Sequence, residues 1–196
     1  SVMNCEGKEL AVRYFKGGKE YTHQCSKVLE KIDKSRKSRG ENAGGRVNQK
    51  YWMHLKHLGE QYAHQVSLNI VTFCKEQDVS VIAFPKYDEE YRRHVLKGAG
   101  NFGTLHLSTR IREYLTYKAW KEGILVLDVN AKEMHRICAV CGSEITQQDK
   151  QSKRFVCEEG HQGDTYLNVA RNVAKRCMEQ FRKKAGKEKN VSAKKS

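Results

Sequence analysis

An α/β fold is what this sequence predicts, and three observations predict it. Residues 79–84 and 124–129 are short, nearly continuous apolar runs, the pattern of strands buried on both faces of a sheet. Around them, apolar residues recur at threes and fours, the spacing of amphipathic helices. The chain has 196 residues, enough to bury a core, and its 38% hydrophobic against 31% charged content lies above the disordered regime.

The elements follow in order. Residues 8–15 alternate loosely and run into Gly17 and Gly18, which reads as a strand entering a turn. Tyr21, Cys25, Val28 or Leu29, and Ile32 then share one face of a helix whose other face is basic. Residues 38–45 form a joint. A longer helix carries Tyr51, Leu55, Leu58, Tyr62, Val66, Ile70 and Phe73 on one face. The apolar run 79–84 is ended by Pro85, which cannot donate to a ladder and suits a sheet edge. A glycine-rich loop with Gly98, Gly100 and Gly103 lacks a phosphate-loop Lys-Ser/Thr ending and reads as a lid. Ile111, Leu115 and Ala119 mark a further helix, closed by Gly123 before the strand at 124–129.

No apolar stretch is long enough to cross a bilayer, and the first residues carry no signal-peptide core. A soluble cytoplasmic chain with no membrane partner is expected. Its formal net charge is +14, of which +6 lies in residues 182–196, leaving about +8 on the body. Lys27, Lys31, Lys34, Arg36, Lys37 and Arg39 form one basic run; Arg92, Arg93, His94 and Lys97 form another. A phosphate backbone fits this distribution, because Lys and Arg contacts release counterions and dominate sequence-independent affinity. Trp52 and Trp120 are open to two readings, base stacking and helix packing.

The seven cysteines do not suggest a disulfide scaffold, since their number is odd and three cluster at metal-ligand spacing. Cys138-x2-Cys141 is a knuckle that presents two thiolates to one tetrahedral ion, and Cys157 follows after fifteen residues. Gly160 stands where a second knuckle would place cysteine, and His161 supplies an imidazole one residue later; His135 is the competing fourth ligand. Four protein ligands leave no open position, so this Zn2+ would be structural. Cys5, Cys25, Cys74 and Cys177 are spread along apolar faces and read as core residues.

Cys138-Ala-Val-Cys141-Gly142, then Phe155-Val-Cys157, then Asp164-Thr-Tyr-Leu-Asn168-Val-Ala170-Arg171-Asn172 resembles the end of the RuvC nuclease domain in TnpB proteins and their descendants, the type V CRISPR effectors. The order of elements upstream is similar as well. The resemblance implies an RNase H-like (RuvC) mixed sheet flanked by helices, with an inserted zinc ribbon. It divides the chain into a RuvC-like α/β portion at 1–133, the ribbon at 134–163, the final RuvC-like helix at 164–182 and a basic disordered tail at 183–196. It also implies guide RNA and target DNA as partners, and a nucleoid-associated location. Lys27, Lys31, Lys34, Arg36, Arg92, Arg93, Lys97 and Arg171 are the candidate nucleic-acid contacts.

In that family, carboxylates on the first strand, at the end of the fourth and at the start of the last helix hold two divalent ions, because hard cations take oxygen ligands. Here the first strand with its Asp is not visible. Pro85 stands at the Glu position and Tyr166 at the position of the last Asp, on a face shared with Val169, Val173, Cys177 and Phe181. Asp164 remains, two residues off the ligand position and well placed to cap the last helix. Asp88, Glu89 and Glu90 would need a loop rearrangement to reach the site. The resemblance therefore implies a nuclease-inactive RNA-guided DNA-binding protein that uses no Mg2+ and regulates transcription or selects targets without cleavage. An active RNA-guided endonuclease and a guide-free transposase remnant are the alternatives. A sheet that starts at its second strand leaves an edge unpaired, so a companion chain or a preceding segment is also expected.

Overall fold

The computed structural model describes residues 1–39, 48–86, 104–149 and 151–192. Among the described residues, eleven elements follow one another: β1 (Val2–Met3), β2 (Glu9–Ala11), α1 (Gly18–Arg39), α2 (Gln49–Glu76), β3 (Val81–Lys86), α3 (Thr104–Lys121), β4 (Leu125–Asn130), β5 (Ile145–Asp149), β6 (Arg154–Cys157), β7 (Gln162–Asp164) and α4 (Thr165–Ser192).

β3 and β4 pair in parallel, Val81 opposite Leu125 through Lys86 opposite Asn130, and both faces of the pair are covered. Ile82, Phe84 and Val126 turn toward Val71, Cys74, Leu115, Ala119 and Ile124 of the α2–α3 side. Val81, Ala83, Leu127 and Val129 turn the other way, toward Val169, Val173 and Cys177 of α4. This alternation of period two makes a three-layer α/β/α arrangement, and it explains why both strands read as unbroken apolar runs. A third cluster, Cys25, Val28, Ile32 and Leu55, joins α1 to α2, with Trp52 packed against it.

α3 stops as its sequence requires. Gly123 has φ +70, and Ile124 N–H donates to Ala119 C=O at 2.9 Å, so the helix closes directly into β4.

Pro85 does not end its strand; β3 runs through it to Lys86. The Ser80 carbonyl accepts from Leu125 N–H and the Lys86 carbonyl from Ala131 N–H, so the even-numbered residues face β4 and Pro85 faces the opposite edge. A residue without a donor costs no ladder bond there. The single mixed sheet implied by the resemblance is not formed by the described residues: the strands make three small sheets, β1–β2, β3–β4 and β5–β6–β7. β1 and β2 have only two and three residues to pair, and the free edge of β3 lacks a donor at Pro85.

The strand expected near residues 8–15 is confined to Glu9–Ala11 and pairs antiparallel with Val2–Met3. Cys5 is exposed rather than buried, because it sits in the turn between these strands, where the Asn4 side chain accepts from the amides of Glu6 and Lys8. Cys25, Cys74 and Cys177 are buried. The final helix does not close near residue 182 but continues to Ser192. No described helix is long and apolar enough to cross a membrane.

Candidate metal centre and the helix that holds it

Cys138, Cys141, Cys157 and His161 come together with all four ligand atoms within 4.8 Å of one another. Two tight turns deliver them. In the first, Gly142 N–H donates to Cys138 C=O at 2.9 Å; in the second, Gly160 N–H donates to Cys157 C=O at 2.9 Å. Gly160 has φ +78, a conformation open to glycine and strained for most other residues, and it swings the chain so that His161 reaches the cluster. His135, the competing ligand, is not in the cluster.

The spacing fits tetrahedral zinc. Zn–S bonds of about 2.3 Å and a Zn–N bond of about 2.1 Å put ligand atoms roughly 3.8 Å apart for two sulfurs and roughly 3.6 Å for sulfur and nitrogen. Cys141 Sγ lies 3.7 Å from Cys157 Sγ, and Cys157 Sγ lies 3.6 Å from His161 Nδ1. A thiolate-rich donor set with one imidazole suits a borderline-soft ion, and four protein ligands would leave such an ion no open position.

The electrostatics favour ligation at two of the four residues, Cys157 and Cys141, and oppose it at Cys138 and His161. Burial raises the Cys157 thiol, yet hydrogen bonds from Ser143 and His161 overcome it and bring the group down to about 6. Hydrogen bonding with Ser143, whose Oγ lies 2.9 Å away, lowers the Cys141 thiol as well. Burial raises Cys138, and the hydrogen bond with Cys157 raises His161.

α4 is bolted to the first knuckle by side chains on its first three turns. Asn168 Oδ1 accepts from Ala139 N–H at 2.7 Å, and its Nδ2 donates to Ile137 C=O at 2.8 Å. Asn172 Nδ2 donates to Ile137 C=O at 2.8 Å and Met134 C=O at 3.0 Å. Lys175 Nζ donates to Ala139 C=O. Both asparagines are buried, so their amides replace the water that these backbone groups would otherwise bind. The role of Asn168 was not read from the sequence; its place in the spaced asparagine pattern was the signal.

Asp164, Glu9 and Asp128 are each engaged. Asp164 caps the helix, accepting from Leu167 N–H at 2.8 Å. Glu9 meets Arg171 in a two-pronged ion pair, at 2.9 Å to Nε and 2.5 Å to the terminal nitrogen. The Arg171 bond, with the Ser1 hydroxyl second, brings the Glu9 carboxyl down to about 2 against an opposing effect of burial. Arg171 is therefore held by Glu9. Asp128 is paired with Arg112 Nε at 2.6 Å. Tyr166 is 62% exposed and does not join the face of Val169, Val173 and Cys177, because the packed stretch of α4 begins at Val169.

Lys27, Lys31 and Lys34 recur at helical spacing on α1, and all are exposed, opposite buried Cys25, Val28 and Ile32. The Arg36 guanidinium sits 5.9 Å from the centre of the Trp52 ring. Arg92, Arg93 and Lys97, with Asp88, Glu89, Glu90, the glycine-rich loop and most of the 38–45 joint, lie outside the described residues.

Residues 109–173, from the middle of α3 through the knuckles into α4, match the family model described as Cas12f1-like, TNB domain. In fold, the chain is similar to a chain of the cryo-EM structure of the Cas12f1-sgRNA-target DNA complex, with a TM-score of 0.62 and 13% identity over 84% of this chain and 44% of that one. It is also similar to a chain of the crystal structure of Alicyclobacillus acidoterrestris C2c1 in complex with single-guide RNA, with a TM-score of 0.60 and 18% identity over 86% of this chain and 21% of that one. The chain thus spans less than half the length of either. A search of curated proteins gave no match.

Proposed function

We propose that this chain, a relative of the TnpB and type V effectors, is the RuvC-like and zinc-ribbon part of an RNA-guided protein that holds target DNA without cutting it. The observation that carries the reading is the continuity between the matched segment and the metal centre: residues 109–173 contain the Cys3His cluster and the asparagines that tie it to α4. In such a protein, pairing with the guide reads sequence, while the protein follows the backbone through its charge. Lys27, Lys31, Lys34 and Arg36, with Arg92, Arg93 and Lys97, are the backbone contacts. Cys138, Cys141, Cys157 and His161 hold one structural Zn2+ that fixes the ribbon against α4.

The non-cutting half rests on how the acids are used. Asp164 caps α4, Glu9 is taken by Arg171, and Pro85 and Tyr166 replace carboxylates at the two positions named by the resemblance. The protein acts on DNA at the nucleoid, and the output is regulation or target selection.

RNA that copurifies with the chain should be a discrete species. The loaded protein should retain a duplex matched to that RNA and release one with a scrambled match. Bulk RNA with equal retention of both duplexes would instead support a guide-free binder.

A further inference from the structure

The outer face of α3 carries aromatic surface that neither the metal centre nor the core uses. Leu115 and Ala119 on its inner side are fully buried, whereas Trp120 is 79% and Tyr117 42% exposed. Arg112, Glu113, Thr116, Tyr117 and Trp120 line a shallow, open concavity of about 500 Å³.

This face is braced. Arg112 is fixed by Asp128 Oδ1 at 2.6 Å and also donates to Thr116 Oγ1. Tyr114 stacks on His64 with ring centres 3.8 Å apart and meets Tyr117 edge to face at 6.2 Å. Lys118 Nζ donates to His64 C=O and to Ser67 Oγ, both at 2.7 Å. Its ammonium lies 5.8 Å from the Tyr117 ring centre, and Lys121 Nζ lies 5.8 Å from the same ring. Two nearby acids are already neutralised, Asp128 by Arg112 and Glu122 by Lys75 at 2.7 Å.

We propose that Trp120 and Tyr117 form a stacking platform for unpaired bases of a single nucleic-acid strand, with Lys121 beside them for its phosphates. The inference rests on the nucleic-acid-binding reading above and gives it a contact site that charge alone does not specify. An indole standing off a helix offers a flat face, and every base has a π-face to match it; a cation at the ring edge adds attraction for the backbone. Glu113 and Thr116 supply polar groups to a base edge lying in the concavity. A duplex keeps its bases stacked on each other and cannot use the platform. Aromatic rings interleaved with lysines fit a polyanion better than an apolar protein surface.

The chain has two tryptophans, so Trp52→Phe leaves Trp120 as the only one. In that background, short oligo(dT) and oligo(U) are expected to quench its fluorescence, and a duplex of equal length is not; the arm that quenches at lower concentration names the strand. In the unaltered chain, Trp120→Ala should weaken single-strand affinity roughly 5- to 150-fold, while Trp120→Phe keeps most of it. Thermal stability of Trp120→Ala should be unchanged, since the side chain is mostly in solvent. Equal affinity of Trp120→Ala and the parent, or equal quenching by duplex, overturns the platform. So does a Trp120→Ala chain that loses self-association but keeps its oligonucleotide affinity. Guide-dependent retention of matched duplex is a separate readout: its loss with quenching intact sinks the proposed function alone, and the reverse sinks the platform alone.

Discussion

The Asn168 carboxamide oxygen lies 2.7 Å from the Ala139 amide nitrogen and joins the last helix to the first cysteine knuckle across 29 residues of sequence. Together with the Asn168 Nδ2 bond to Ile137 C=O, it makes the metal centre and α4 one mechanical unit. Asn168→Ala leaves the Ala139 amide buried without a partner. It should lower stability by about 1–3 kcal/mol, measured by denaturant unfolding of the zinc-loaded protein. Unchanged stability would mean that water replaces the side chain.

The Cys3His assignment predicts about one zinc ion per chain. Cys157→Ala and His161→Ala should each lower the zinc-to-protein ratio, while His135→Ala should leave it unchanged. Chelation should lower the unfolding temperature, because metal affinity and folding of the ribbon are coupled. A zinc loss in His135→Ala equal to that in His161→Ala would reassign the fourth ligand.

The Glu9–Arg171 pair predicts a pH signature. Arg171 holds the Glu9 carboxyl at about 2, below its ordinary value of 4.5, so the folded state favours the charged form. That contribution is complete above the ordinary value and is lost as pH falls from about 4.5 toward 2. The pair is partly solvated, so its magnitude is on the order of 1 kcal/mol. Glu9→Gln should be less stable than the parent at neutral pH, and the gap should close over that acid window. A gap that persists to pH 2 would assign the effect to packing.

Nucleic-acid affinity should fall steeply with salt. Replacing Lys27, Lys31 and Lys34 by Gln should reduce the slope of log affinity against log salt by about 0.9 for each duplex phosphate that is no longer neutralised. An unchanged slope would show that α1 presents a solvated face and does not touch the backbone.

What was legible in the sequence was local. The two apolar runs became β3 and β4, the helical spacings became α1, α2 and α3, and the Cys-x2-Cys knuckle with Cys157 and His161 closed into one cluster. What was not legible depended on distant pairing or on the finite length of a packed face. Arg171 reads as a free cation until Glu9, 162 residues earlier, is brought against it. Tyr166 shares the spacing of Val169, Val173 and Cys177, but six-residue strands are only about 20 Å long and cover a few turns of α4. The helix overhangs them, so Tyr166 and Phe181 stand in solvent at either end of the packed stretch. Pro85 reads as a strand end because its missing donor is visible in sequence, while the side of the ladder it faces is not.

Binding without cutting is tested most directly by incubating the chain and its guide with a labelled matched duplex in Mg2+ or Mn2+, following retention and strand length together. The account predicts guide-dependent retention with strands of full length. Guide-dependent shortened strands that disappear in Asp164→Ala would contradict it and make the protein a nuclease.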